Sequence, residues 1–354
     1  MNKQATSTYQ EKPHIFTFGK VETITNRRQL LDYGATYYNG KWWEPVCNYQ
    51  TLAGLLHLTP YHESAIDAWC NIVSGTLIPS QTKANGKRIL KKKTMLKGMK
   101  DYRTFGNAYF YLRRSRDNRV IAVEHLPALY MRRGKQENEF YYLHQESPAY
   151  LLEEPNWTHY DRDIVHIKRY DVRQEIYGVP GYLGALDAAY LNRESTLLKR
   201  QFFVNGAHLG FVFVLTSAEI LDEDVTAIED ALKDAKGDFG NLFVHIPGEK
   251  EGAVKIIPIG DIASKDDFWN VKMSSREDVL AQHRVPLVLM SIMPQNTSGL
   301  GKPQDAALVF AKNEVEPFHD ELDELNDLAG MTLLTFSPYL LGAESGTGTT
   351  ESTK

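Results

Sequence analysis

YGVPGYLGALDAAYLNRESTLLKRQFFVNGA, residues 177–207, opens with turn residues (Gly178, Pro180, Gly181, Gly184) and then runs without a breaker from 185 to 205. Gly206 supplies the stop that a left-handed helix cap requires. A helix of that length spans about 30 Å. At about 100° per residue its apolar positions form two stripes. Leu186, Tyr190, Leu197 and Val204 define one; Leu191, Leu198 and Phe202 define the other. Asp187, Glu194 and Gln201 lie between them, and the third sector is small, polar or basic: Ala188, Asn192, Ser195, Thr196 and Lys199. Such a helix is expected to grip neighbours on two sides, like a stave in a barrel.

A second helix repeats this geometry. It begins near Ser264, with Asp266 and Asp267 suited to the first turn. Phe268 and Val279 form one stripe and Trp269, Met273 and Leu280 another, with Lys265, Lys272, Arg276 and His283 between them. The strip between the stripes is acidic and polar in the first helix and basic in the second. The two strips are therefore expected to face each other, within or between subunits, with Glu194 near Lys272 or Arg276.

Between the helices the pattern reads as a β-α-β unit. Residues 210–215 (GFVFVL) and 241–247 (NLFVHIP) are expected strands. The helix joining them opens on the capping box Thr216-Ser217-Ala218-Glu219 and carries an acidic outer face of Glu219, Asp222, Glu223, Asp224, Glu229 and Asp230.

Upstream, Thr59-Pro60 starts a helix on which Ala65, Trp69 and Ile72 follow at helical spacing. The segment 83–100 is lysine-rich and overlaps a short helix, with a solvated face as its plainest role. From Phe105 the code changes to strands (GNAYFYLRR, RVIAVEHL, ALYMRR, FYYLHQ), so the region to about 181 is expected to be one α+β domain with an antiparallel sheet. The aromatics Tyr33, Tyr37, Tyr38, Trp42 and Trp43 read as an anchor for an N-terminal arm or as a ligand cage. After Pro286 comes a turn-rich loop of the kind that is usually functional. Pro303 then starts a helix that Pro317 should kink or divide.

At 354 residues, 42% hydrophobic and 24% charged, the chain can bury a sizeable core. A net charge of −5 argues against wholesale coating of nucleic acid but permits a local basic surface. Cys47 and Cys70 match neither a metal spacing nor a disulfide framework, so a reducing compartment is expected. Neither a secretory signal nor a membrane span is expected. No phosphate loop, H-E-x-x-H, paired C-x-x-C or G-x-S-x-G occurs. His57 and His62 have no third ligand nearby and read as structural. No catalytic residue, metal or cofactor is therefore expected.

Five stretches together resemble the tailed-bacteriophage portal (head–tail connector) proteins, in particular their PBSX-type group. They are LTPYHESAIDAWC (58–70), FGNAYF (105–110), the quoted helix continued to 213, REDVLAQHRVPLVLMSIMPQ (276–295) and PQDAALVFAKNEVEPF (303–318). The resemblance implies an α+β portal fold in a ring-forming homo-oligomer, commonly of twelve subunits, conducting double-stranded DNA at a capsid vertex. It implies a flexible arm at 1–20, a wing domain at 21–181, stem helices at 182–206 and 261–285, and a clip at 207–260. A tunnel loop at 286–302, a wing/crown-base helix and C-terminal segment at 303–343 and a flexible tail at 344–354 follow. The larger portals carry a helical crown, and the short remainder here implies a short crown or none.

On that reading the subunit interface of the stem would use Leu186, Tyr190, Glu194, Leu197, Leu198, Phe202, Phe268, Trp269, Lys272, Met273, Arg276, Val279 and Leu280. Lys199, Gln295, Asn296, Thr297, Ser298 and Lys302 would line the DNA channel. The acidic clip helix would dock the terminase large subunit and later a neck or adaptor protein, and the ring would also meet the major capsid and scaffolding proteins. Two other classes stay open: an enzyme acting on nucleic acid through the basic 83–100 segment, and a capsid-assembly scaffold that conducts no DNA.

Overall fold

The computed structural model describes residues 14–17, 36–144, 156–204, 211–215, 242–245, 254–258, 265–290 and 303–340. The chain divides into two compact units, one of residues 26–190 with 275–354 and one of residues 1–25 with 191–274.

The larger unit begins with α1 (Tyr49–Leu55), where Asn48 Oδ1 accepts the Thr51 amide. In α2 (Pro60–Thr76) Thr59 Oγ1 accepts the His62 amide and Pro60 fills the first helical position, as the sequence indicates. β2 (Leu77–Pro79) leads to a hairpin of β3 (Lys83–Ala84) and β4 (Lys87–Arg88). Asn85 and Gly86 join the two with φ of 50° and 75°, the primed two-residue turn that suits the twist of paired strands. The basic segment is thus a hairpin followed by α3 (Lys92–Phe105).

Strands β5 (Asn107–Arg114), β6 (Val120–Leu126), β7 (Met131–Arg133), β8 (Phe140–Leu143), β9 (Trp157–Tyr160) and β10 (Ile164–Lys168) follow. They form two three-stranded antiparallel sheets, β10-β5-β6 and β7-β8-β9, where the sequence suggested one. Trp69, Tyr109, Phe110, Met95 and Leu112 fill the core between helices and sheet. Within the aromatic segment Trp42 is buried 5.6 Å from Tyr141 and the Lys41 ammonium lies 4.0 Å from the Trp157 ring centroid, whereas Tyr37 is exposed and Tyr33 lies outside the described residues.

Two long helices, α4 (Leu186–Val204) and α5 (Lys265–His283), each run through both units. In the smaller unit β11 (Phe211–Leu215) pairs parallel with β12 (Leu242–His245), and parallel neighbours need a crossover connection. The crossover itself lies outside the described residues. β13 (Val254–Pro258) is antiparallel to β11, and β1 (His14–Thr17) is antiparallel to β12 on the outer edge. The expectation of an irregular arm at 1–20 therefore needs correcting: His14–Thr17 is the fourth strand of this sheet. Backbone pairing to an open edge holds it there.

In the larger unit α6 (Pro303–Phe310) passes into a π-helical turn, Ala311–Val315, before α7 (Glu316–Ala329). The Glu316 amide donates to the Ala311 carbonyl five residues back. This wider turn accommodates Pro317, which lacks an amide and crowds the preceding turn, so the helix continues through it. β14 (Leu334–Phe336) then closes the unit against β2.

Candidate functional site

The long helices were expected to present two apolar stripes to neighbours. The observed burial differs. On α4 the buried residues are Leu186, Ala189, Asn192 and Ser195, while Leu191 is 51% exposed and Tyr190, Leu197 and Leu198 are half-buried. Asn192 and Ser195 belong to the small, polar or basic sector and to neither of the stripes expected to grip a neighbour, so the expected division of the helix surface is corrected. Asn192 Nδ2 donates to the Lys272 carbonyl (3.0 Å), and Ser195 Oγ turns back to the Leu191 carbonyl (2.7 Å). Small polar side chains that satisfy themselves on backbone carbonyls let a second helix approach closely, so they are buried at little cost.

On α5 Ser275, Arg276, Val279, Leu280 and His283 are buried, whereas Lys272 and Met273 are half-buried. Arg276 pairs with Glu277 on its own helix (3.7 Å). Leu186, Arg276, Val279 and Leu280 are covered within a single chain, so a neighbouring subunit would have to use the half-buried and exposed positions instead. Glu194 and Lys199 are exposed. The side chains of Phe202, Phe268 and Trp269 lie outside the described residues. So do the loop residues Gln295, Asn296, Thr297, Ser298 and Lys302, and the acidic residues Glu219, Asp222, Glu223, Asp224, Glu229 and Asp230.

A histidine pair at the end of α5 was not visible in the sequence, because its members stand 221 positions apart. His62 Nδ1 and His283 Nε2 are 2.9 Å apart in the core, with Tyr182 packed against both rings. Arg103 donates to the His283 carbonyl (3.0 Å) and lies over the Trp69 ring. Burial, reinforced by the Arg103 charge, lowers the His62 pKa to about 4 and holds His283 well below its ordinary value. The pair is therefore neutral, with one ring donating the shared proton. An unfolded chain takes up these protons first, so stability is full above about pH 6.5 and falls as pH drops toward 4. For His62 alone the loss is on the order of 3 kcal/mol. Thermal melts between pH 7 and 4 should show this decline, and His62→Gln/His283→Gln should make it shallower, with buried His166 contributing part of what remains. A wild-type melting temperature constant across that range would contradict the reading.

Asn107 is a second buried hub. Its Nδ2 donates toward the Tyr49 hydroxyl and the Phe105 and Gly178 carbonyls (3.1, 2.8 and 2.9 Å), and its Oδ1 accepts the Gly178 amide (2.7 Å). His166 Nε2 donates to the same oxygen (2.9 Å), burial keeping that ring neutral. The phrases FGNAYF and YGVPGYLG thus meet back to back, and the start of α4 is fixed to the β5 sheet.

Cys47 and Cys70 are buried free thiols, with burial raising their pKa to about 11 and about 12. Such thiols are poor nucleophiles at neutral pH. Among the described residues no group of three or more His, Cys, Asp or Glu side chains could hold a metal ion, and no helix there is long and apolar enough to cross a membrane.

The larger unit mixes helices and strands, and two long helices precede and follow strands β11 to β13 of the small sheet in the sequence. Solved structures share this fold. A gene transfer agent virion chain superposes with a TM-score of 0.57 over 89% of each chain at 14% identity. A HK97 family phage portal protein from Corynebacterium diphtheriae superposes with a TM-score of 0.53, over 81% of this chain and 94% of that one, at 15% identity. Closer in sequence is a probable portal protein of Escherichia phage P2, 34% identical over 94% of both chains. The probable portal protein of Haemophilus phage HP1 is 33% identical over 79% of both. The family model described as phage portal protein matches residues 91–325. The chain belongs to the phage portal protein family.

Proposed function

We propose that this chain forms the ring at a capsid vertex through which double-stranded DNA is packaged and later ejected. The carrying observation is its 34% identity, over 94% of both chains, to the probable portal protein of phage P2. Twelve subunits is the stoichiometry proposed, the number that the resemblance to portal proteins implies. The role is structural, with ATP hydrolysis left to a separate motor. Assembly takes place in the host cytoplasm and the finished ring resides in the virion.

In this reading 21–181 is the wing, α4 and α5 belong to the stem, and 207–260 is the clip, to which β1 adds a strand. The acidic face of 219–230 docks the terminase large subunit during packaging and a neck or adaptor protein afterwards, charge complementarity selecting the partner. The wing side meets the major capsid and scaffolding proteins.

Lys199, Gln295, Asn296, Thr297, Ser298 and Lys302 line the channel. DNA must slide there without being gripped. Each neutralised phosphate adds affinity and salt dependence, so short polar side chains with few cations fit translocation. Deleting residues 295–299 is expected to shorten packaged DNA or reduce its retention. Unchanged packaging and retention would remove the loop from the channel.

A further inference from the structure

Two surfaces of the larger unit carry opposite charge at opposite edges of one sheet. Between residues 80 and 100 there are seven lysines, one arginine and no carboxylate, in a chain whose net charge is −5. The hairpin packs at the β6 edge of the sheet ordered β10-β5-β6, and α3 lies across β5 and β6. There Lys83, Lys87, Arg88, Lys91, Lys93 and Lys97 are all exposed. Among the described residues none of the six makes an ion pair. A groove of about 650 Å³ opens among them, and Glu124 on its wall is already held by Arg113 at 3.1 Å. Lys91 and Lys93 also crowd the start of α3, which no side chain caps. Cations at a helix N-terminus oppose the helix dipole, so this arrangement works against the subunit's own stability.

The other surface is α7, which packs at the β10 edge. From 314 to 327 there are seven carboxylates and neither lysine nor arginine. Phe318, Leu322, Leu325 and Ala329 form the buried stripe. At about 100° per residue, Glu316, Asp320, Asp323 and Asp327 lie on the opposite side, and all four are exposed. Glu316 takes Lys312 at 2.9 Å and Asp323 accepts from Asn326 at 2.7 Å. Asp320, Asp323 and Asp327 have no ion pair among the described residues.

We infer that the acidic outer stripe of α7 in one subunit docks on the basic hairpin edge of the next copy of this chain, making a heterologous, charge-paired contact around the ring. The inference rests on the ring reading above. Closed rings need two different, complementary patches on each subunit, and this unit carries such a pair at opposite edges. A polyanion bound from outside would account for the basic edge and leave the acidic stripe without a role. Repetition of several charges makes a network, which contributes where isolated surface pairs add little. At 0.1 M salt charge interactions persist to about 10 Å before they are screened, so contact-distance pairs survive.

The test uses the full chain in three forms: Lys87→Glu/Arg88→Glu/Lys91→Glu, Asp320→Lys/Asp323→Lys/Asp327→Lys, and all six together. Oligomer mass is followed against protein and salt concentration, with circular dichroism verifying that each variant folds. Each three-site variant is expected to need at least tenfold more protein to form rings. The six-site swap should assemble nearly as wild type, and so should an equimolar mixture of the two three-site variants. Rings that form equally well in every variant overturn the inference, as does a basic-edge variant that assembles normally but loses duplex-DNA binding. A wild-type chain that stays monomeric at all concentrations overturns the ring reading itself, and is distinguishable for that reason.

Discussion

Gly178→Ala is expected to lower the melting temperature of the larger unit by roughly 10 °C and to deplete soluble protein. A Cβ at this buried position would sit 2.0 Å from the Gly106 carbonyl oxygen and 2.6 Å from the Arg169 amide nitrogen. Those atoms are backbone, and they are already joined by an Arg169 N–H to Gly106 carbonyl hydrogen bond of 2.8 Å. No rotamer change relieves the clash, so two crossing segments must separate. Overpacking of this kind costs on the order of 3 kcal/mol, and for a unit of this size each kcal/mol moves the midpoint by about 2–4 °C. Gly184→Ala is the control. Its nearest atoms are the Gln282 side chain at 3.6 Å and beyond, and the expected change is within about 0.5 kcal/mol. Differential scanning fluorimetry on both variants measures the contrast, and equal midpoints would refute it.

Asn107→Ala should cost a similar amount by a different route. Removing the carboxamide leaves the Gly178 amide and carbonyl, the Phe105 carbonyl and the His166 ring nitrogen without their partner in a site where Asn107 is wholly buried. Each orphaned buried group costs about 1–3 kcal/mol, with partial relief from relaxation. A net loss of about 3–4 kcal/mol in chemical denaturation follows. Asn107→Asp should be no better at neutral pH. A carboxylate can accept from the Gly178 amide but cannot donate to the two carbonyls. A loss below 1 kcal/mol in either variant would show that Asn107 does not hold the two segments together.

These two sites show where sequence reading ends. FGNAYF and YGVPGYLG are legible separately, one as a strand start and the other as a turn before a helix. Their contact, through two glycines and one asparagine, depends on a chain crossing that no periodicity encodes. Local signals fared better. Thr59-Pro60 marks the start of α2 because capping and proline chemistry act within one turn. Asn85-Gly86 is an equally local hairpin signal, set among lysines whose charge pattern says nothing of the turn. The long helices were legible as helices, but the buried side of α4 was misassigned. Hydrophobicity selects Leu191, whereas the close approach of a second helix selects Asn192 and Ser195. β1 is four residues long, too short to show alternation, and only the open edge of β12 defines it as a strand.

The central claim is that this chain closes into a ring around a passage for DNA. The direct measurement is electron microscopy of the purified full chain, with its mass determined in solution. The account predicts closed rings, of about a dozen subunits if the proposed stoichiometry holds, with a central hole wide enough for duplex DNA. A monodisperse monomer, or a closed assembly whose hole excludes duplex DNA, would contradict it.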